Sequence, residues 1–388
     1  MSTKVLIISK VRTHPVKMGN NKAILAQAEM LKDLDCVVDY LYVQEMGLHG
    51  DVKENEVSYQ QTKDYWGDHF LFLKVSKFEK LCKNIIAKYR KVFCGRHEGI
   101  YDPYPWQLTQ YVKQLQKERG YDICLVQYYY LTKLFKKVRF NKMACFTHDA
   151  MAYKNLLVNE NCPWINADQE ARALQQCTDI FAIQEEEKDY FHILSPKSRV
   201  YNIYTPYSYK STPYVGNKTL LFLSGNNGFN QNGLQWFIEI VFPLIREKFS
   251  DAQLLIAGGI CNVIKGKYDH ISGIRLMGYV KDPMDLYELG DVAINPVYQG
   301  TGLKIKTFES ISFDKVTLVH PHSVAGIYKK ETAPLFVSDK PEEWVAYLER
   351  IWSDKATIMK VKEENQKYIE SMNEYIETEY KRFLSIVQ

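Results

Sequence analysis

Short apolar runs alternate with longer amphipathic stretches along almost the whole chain, an order that predicts strands and helices taking turns. VLIIS, beginning after Lys4, reads as a buried strand, and residues 22–34 follow as a helix with Ile24, Ala28 and Leu31 on one face. Residues 36–42 give the second strand. Further strands are expected at 121–127, 144–147, 179–184 and 200–204, with a short one at 91–94. Helices are expected at 74–89, where Leu81, Ile85 and Lys88 mark the period, and at 106–120, 168–176 and 185–194. Residues 47–70 are polar and irregular, and the pattern there predicts a mobile loop or a helical excursion.

The pattern then restarts. Residues 205–218 are rich in Pro, Ser, Thr and Gly and read as the best linker in the chain. Beyond them strands are expected at 220–225, 252–259, 273–277, 292–297, 316–320 and 335–337. A helix over 234–249 carries an apolar stripe of Leu234, Phe237, Ile238 and Val241. Helices over 341–351 and 356–387 close the chain. The prediction is an α/β fold of two Rossmann-like parallel-sheet domains, residues 1–205 and 206–365, facing each other across a cleft. Residues 366–388 are then a C-terminal helix packing back across both.

A length of 388 residues agrees with two to three domains, and 46% hydrophobic residues is ordinary for a globular protein. Fifty Lys and Arg against 46 Asp and Glu leave +4, too little to predict nucleic acid as a partner. Positive charge gathers at 74–91 and 133–142, which predicts contact with an anionic membrane surface or an anionic acceptor. The eight cysteines are scattered with no CxxC pair, as free thiols in a reducing compartment are. Met1 leads almost directly into a strand and no apolar run reaches 18 residues. A cytoplasmic protein, peripheral on the inner face of the membrane, is therefore expected.

The stretch richest in candidate chemistry is 292–326. Gly300, Thr301 and Gly302 let the backbone turn closely around a small ligand beyond a strand end. Lys304 and Lys306 bring positive charge, and Glu309 brings a carboxylate one turn on. That set suits a phosphate-bearing ligand with a hydroxylated sugar. Lys306 meets the charge that grows on a leaving pyrophosphate, and no bound metal is required. Gly225 and Asn226 follow the first strand of the same half. In the first half, His148–Asp149 ends a strand where α/β proteins place chemistry, and the loop from His14 to Gly19 forms a lip.

These residues resemble the retaining family 4 glycosyltransferases of the GT-B fold. LLFLSGNNGFNQNGLQWFIEIVFPLI and IRLMGYVKDPMDLYELGDVAINPVYQGTGLKIKTFESISFDKVTLV carry the resemblance; HDAM and FAIQEEEKDYF extend it more weakly into the first half. The resemblance implies transfer of a sugar from a nucleotide-diphosphate donor, a UDP- or GDP-sugar, to a lipid-linked or polysaccharide acceptor. It implies that Glu309 holds the ribose, Lys306 the diphosphate, and Gly300, Thr301 and Gly302 the donor phosphates and sugar. Gly225, Asn226, Leu303 and Lys304 complete the donor set, and residues 274–280 border the base. On the other side Gly19 approaches donor or acceptor, while His148, with Asp149, stands at the reacting centre. Three departures from the family pattern stand out. Thr301 occupies a position where many members have a carboxylate, residues 224–233 lack Arg and Lys, and Phe313–Asp314 replaces a small residue and a Gly. Two other readings share the outline: a nucleotide-sugar epimerase, and a catalytically impaired glycan- or nucleotide-binding module.

Overall fold

The computed structural model describes residues 2–16, 19–44, 52–93, 100–101, 104–158 and 166–385. The chain forms two compact units, Met1–Thr205 with Ile376–Gln388, and Pro206–Tyr375.

The first unit is built on seven strands: β1 (Lys4–Ser9), β2 (Val37–Gln44), β3 (Phe70–Lys74), β4 (Ile123–Gln127), β5 (Lys142–Phe146), β6 (Asp179–Ala182) and β7 (Arg199–Asn202). They pair in parallel in the order β3-β2-β1-β4-β5-β6-β7. Val5, Leu6, Ile7 and Ile8 are all buried, as expected of a central parallel strand covered on both faces. The helix Gly19–Asp33 buries Ile24, Ala28 and Leu31, its predicted stripe. The helix Trp106–Arg119 stops where Gly120 turns left-handed and its N–H bonds the Gln116 carbonyl.

The second unit has six strands: β8 (Thr219–Leu223), β9 (Gln253–Ala257), β10 (Ile274–Gly278), β11 (Val292–Asn295), β12 (Val316–Val319) and β13 (Leu335–Val337). Their order, β10-β9-β8-β11-β12-β13, repeats the doubly wound plan of the first. Helical residues run from Gly228 to Lys248 through a π turn at Phe237–Val241, burying Leu234, Phe237, Ile238 and Val241. The closing helix, Lys355–Ser385, gives Ile358 to the second core, while its end supplies Tyr380 and Phe383 to the first. There Phe383 sits edge-on to Phe181 and Tyr201, with the buried Lys142 ammonium 4.5 Å from its ring centre.

Three expectations change. No strand forms at 91–94: residues up to 93 end the helix Lys77–Phe93, and Cys94 lies outside the described residues. The polar stretch 47–70 takes the second of its two readings, a helix at Val52–Trp66, but its end opens β3, which the pattern missed; residues 45–51 lie outside the described residues. In the basic segment 133–142 Leu134, Phe135 and Lys142 are buried, while Lys136, Lys137 and Arg139 are exposed. The linker at 205–218 is a pinned strap over most of its length. Lys210 N–H bonds the Ser312 carbonyl at 2.7 Å, and Val215 and Gly216 both donate to buried Asp291. Three short helices, Tyr129–Lys136, Met151–Val158 and Cys261–Ile264, carry too few residues to show a period.

The six described cysteines are free, and among the described residues no helix is long and apolar enough to cross a membrane.

Candidate active site

In a doubly wound sheet the strand order reverses once, and the loops leaving the two strands on either side of that point diverge and open a crevice. In the second unit those strands are β8 and β11. The loop after β8 contains Gly225 and Asn226; the loop after β11 contains Gly300, Thr301, Gly302, Leu303 and Lys304. Gly300 has φ 120° and Gly302 φ 69°, both on the side of backbone space that favours glycine. A side chain at Gly300 would also meet the Phe229 ring at 2.8 Å. Lower in the same loop, Gly233 lets its helix approach so closely that an added Cβ would lie 2.7 Å from Val297 Cα.

Lys306 and Glu309 stand three residues apart on the helix Ile305–Ser312, half-buried on one face. Lys306 Nζ donates to Asn230 Oδ1 at 2.6 Å, and Asn230 Nδ2 donates to the Gly225 carbonyl at 3.0 Å. One buried asparagine thus ties the two loops of the crevice together. Burial, then repulsion from Lys304, push the Lys306 pKa down to about 8 against the attraction of Glu309. Lys304 is turned onto the carbonyls of Thr301 and Gly302, at 3.3 and 3.0 Å. Tyr287 donates to Glu309 Oε1 at 3.5 Å. His322, beyond β12, shares a hydrogen bond with the Gly300 carbonyl at 3.0 Å, and burial holds its imidazole below the usual range. Asn226 accepts from Gln231 at 2.7 Å and is exposed. Residues 274–280 form the edge strand β10 and its end, with Met277 and Val280 packed in the cluster that holds Tyr287.

The first unit places its candidates at its own reversal, between β1 and β4, and on β5 beside it. His148 (φ 65°) and Tyr128 (φ 70°) both take left-handed backbone at strand ends, a costly geometry for residues with side chains. Their rings stack at 4.2 Å, and Tyr130 stacks on Tyr128 at 5.6 Å. Gln127 gives its amide nitrogen to Gln27 at 2.9 Å, so its oxygen accepts from His148 Nε2 at 2.7 Å and leaves Nδ1 with the lone pair. Burial lowers the His148 pKa to about 3, which keeps the ring neutral. Asp149 follows His148 directly in the chain. Its carboxylate pairs with Lys154 at 3.1 Å, and its carbonyl accepts from Tyr129. Next to it Glu187 accepts from Ala150 N–H at 3.0 Å and is pushed up to about 8 by burial and by Asp149. Gly19 opens its helix, and the neighbouring Asn20 donates to Tyr128 at 3.3 Å. His14 lies over Tyr65; Lys17 and Met18, in the predicted lip, lie outside the described residues.

Each sheet thus gathers its sequence-predicted residues at one end, and the structure adds Asn230, His322, Tyr287, Tyr128 and Gln127. Asn230 is a buried polar residue in the first turn of the helix that opens at Gly228. Among the described residues no group of three or more His, Cys, Asp or Glu is placed to hold a metal ion.

Residues 217–354, the strands and loops of the second crevice, match the family described as glycosyl transferases group 1. Over the whole chain the fold is that of several solved structures. The chain has the GT-B fold, and its residues 217–354 carry the glycosyl transferases group 1 domain. Sucrose-phosphate synthase from Thermosynechococcus elongatus superposes on it with a TM-score of 0.66 at 12% identity, covering 99% of this chain and 98% of that one. Anabaena HepE, in complex with UDP, gives 0.64 at 11% identity over 100% of both chains. The pneumococcal O-GlcNAc transferase GtfA, in complex with UDP and GlcNAc, gives 0.65 at 9%, covering 100% and 99%. At such identities the likeness speaks for the fold alone. No curated protein sequence matches this chain.

Proposed function

We propose that the protein is a glycosyltransferase that takes a UDP- or GDP-sugar and transfers the sugar to a lipid-linked or polysaccharide acceptor with retention of configuration, working in the cytoplasm at a membrane surface. The bond from the anomeric carbon to the diphosphate breaks, a bond to an acceptor hydroxyl forms, and the nucleoside diphosphate departs as the hydroxyl loses its proton. The observation that carries this reading is the bridge from Lys306 through Asn230 to Gly225. It presents an ammonium group, the turn at Gly300–Gly302 and the carboxylate of Glu309 around one crevice. Lys306 and Lys304, each disfavoured by the other's charge, are suited to an anionic diphosphate, so the leaving group is met without a metal. Glu309 takes the ribose hydroxyls. HepE and GtfA each hold UDP in their solved structures, which supports a uridine donor here.

The first unit handles the acceptor side. The Tyr130–Tyr128–His148 stack offers flat faces of the kind sugar rings pack against, and neutral His148 presents Nδ1 as an acceptor for a sugar hydroxyl. Glu309→Ala is expected to weaken UDP binding by about tenfold or more, the size of a lost hydrogen bond to a charged group. His148→Ala should leave UDP binding intact and depress turnover. Calorimetry with UDP, alongside turnover of the donor, separates the two. Undiminished UDP affinity in Glu309→Ala removes the carboxylate from the ribose, and unchanged turnover in His148→Ala removes the imidazole from the reaction.

A further inference from the structure

The helix Lys77–Phe93 is turned the wrong way round for a helix that belongs to a core. At 3.6 residues per turn, Phe78, Leu81, Ile85, Tyr89 and Val92 fall in one sector roughly 80° wide. That sector faces solvent: Phe78 and Val92 are each 73% exposed, Leu81 and Tyr89 58%, and Ile85 57%. The buried position is polar instead. Glu79 is 2% exposed and takes the backbone N–H groups of Trp106 and Gln107 at 2.5 and 3.3 Å, fastening the start of the helix to the next one. Burial of Glu79 also fixes which side of the helix looks out.

Exposed apolar stripes of this size call for an occupant. The charge on the helix says which. It carries Lys77, Lys80, Lys83, Lys88, Arg90 and Lys91, and its one acidic residue, Glu79, is buried and 3.5 Å from Lys83. Lys77 and Lys88 border the apolar sector. A second copy of the same helix would bring cations against cations, whereas an anionic lipid surface offers both an apolar interior for the stripe and a negative boundary for the lysines. We infer that this helix lies in the plane of an anionic bilayer with Phe78, Leu81, Ile85, Tyr89 and Val92 inserted, and that it is the membrane-docking element of the enzyme. The surface gives a definite place to the membrane partner of the proposed function, yet it stands on its own observations and needs no donor or acceptor.

The test is co-sedimentation of the full chain with vesicles of phosphatidylcholine alone and of phosphatidylcholine mixed with phosphatidylglycerol, at low and high salt. Binding to the mixed vesicles is expected, weaker in high salt and weaker still on phosphatidylcholine. The double variant Leu81→Ser/Ile85→Ser, which alters only exposed side chains, should keep the wild-type melting temperature and UDP affinity. It should lose vesicle binding by about tenfold or more, the scale of two apolar side chains withdrawn from lipid. Lys88→Glu should weaken binding at low salt and have little effect at high salt. The inference is overturned if the wild-type protein ignores the mixed vesicles, or if the double variant binds them as well as wild type. It is equally overturned if sedimentation velocity shows self-association that the double variant abolishes, since the stripe then belongs to a second copy. UDP binding measured on the same preparations keeps the two proposals apart: its absence would remove the donor reading and leave the vesicle result standing.

Discussion

Lys306 is where single-residue chemistry is most exposed to measurement. Its pKa of about 8, set by burial and by Lys304, means that the unliganded site changes charge just above neutrality. A diphosphate binds the protonated ammonium, so UDP affinity should be complete below about pH 8 and fall as pH rises through it, while the bound anion pulls the pKa back up. Calorimetry from about pH 7 to 9.5 reads the slope. Lys306→Arg, charged throughout, should flatten the profile, and Lys306→Met should bind about tenfold or more weakly at neutral pH. A flat profile in the wild-type protein would detach Lys306 from the diphosphate. At this scale the sequence showed what lies within one turn of one helix. Lys306 and Glu309 share a face by spacing alone, whereas Asn230, 76 residues from Lys306, is tied to it only by the meeting of two loops. The geometry at His148 was legible as a strand end, but Gln127 and Tyr128 come from the neighbouring strand, and no local pattern announces which residues two adjacent parallel strands bring together.

At the scale of elements, Asp314 shows how a departure from a family pattern is absorbed. It follows the helix Ile305–Ser312 with φ 64°, a position suited to the glycine it replaces. An aspartate tolerates this region better than most side chains, and here it is held by Lys362 at 3.2 Å, by Tyr209 at 2.8 Å and by Thr212 N–H at 3.3 Å. The substitution therefore belongs to the packing of the strap against the second unit. Asp314→Ala leaves Lys362 buried without this partner and is expected to cost about 3–5 kcal/mol in urea unfolding. Asp314→Gly should recover only the backbone share of that loss, about 1–2 kcal/mol. Strands with long apolar runs were readable, β1 to the residue. The misread elements have physical reasons. KVF, residues 91–93, has the composition of a strand but sits in the last turn of an amphipathic helix, and FLFLK is a short apolar run squeezed between two helices.

At the scale of the molecule, the alternation of runs was enough to announce two parallel-sheet units, and the repeated strand order is its consequence. The pattern predicted a closing helix packing back across both units but not where it passes from one to the other, because that helix is continuous. Phe383, at its end, completes the aromatic cluster of Phe181 and Tyr201 in the first unit. Phe383→Ala is expected to destabilise that unit by about 3–5 kcal/mol while leaving UDP affinity, which the proposed function assigns to the second, unchanged. Scanning calorimetry with and without UDP checks this, and a loss of UDP affinity would contradict it.

That same arrangement imposes an order on synthesis. The first unit ends its opening segment at Thr205 but waits for Ile376 and the residues after it, so the whole second unit is translated in between. At about 5–20 residues per second the delay is roughly 10–30 s. Through that interval the nascent chain carries an unfinished aromatic socket, and the enzyme's earliest-made half is the last to be sealed.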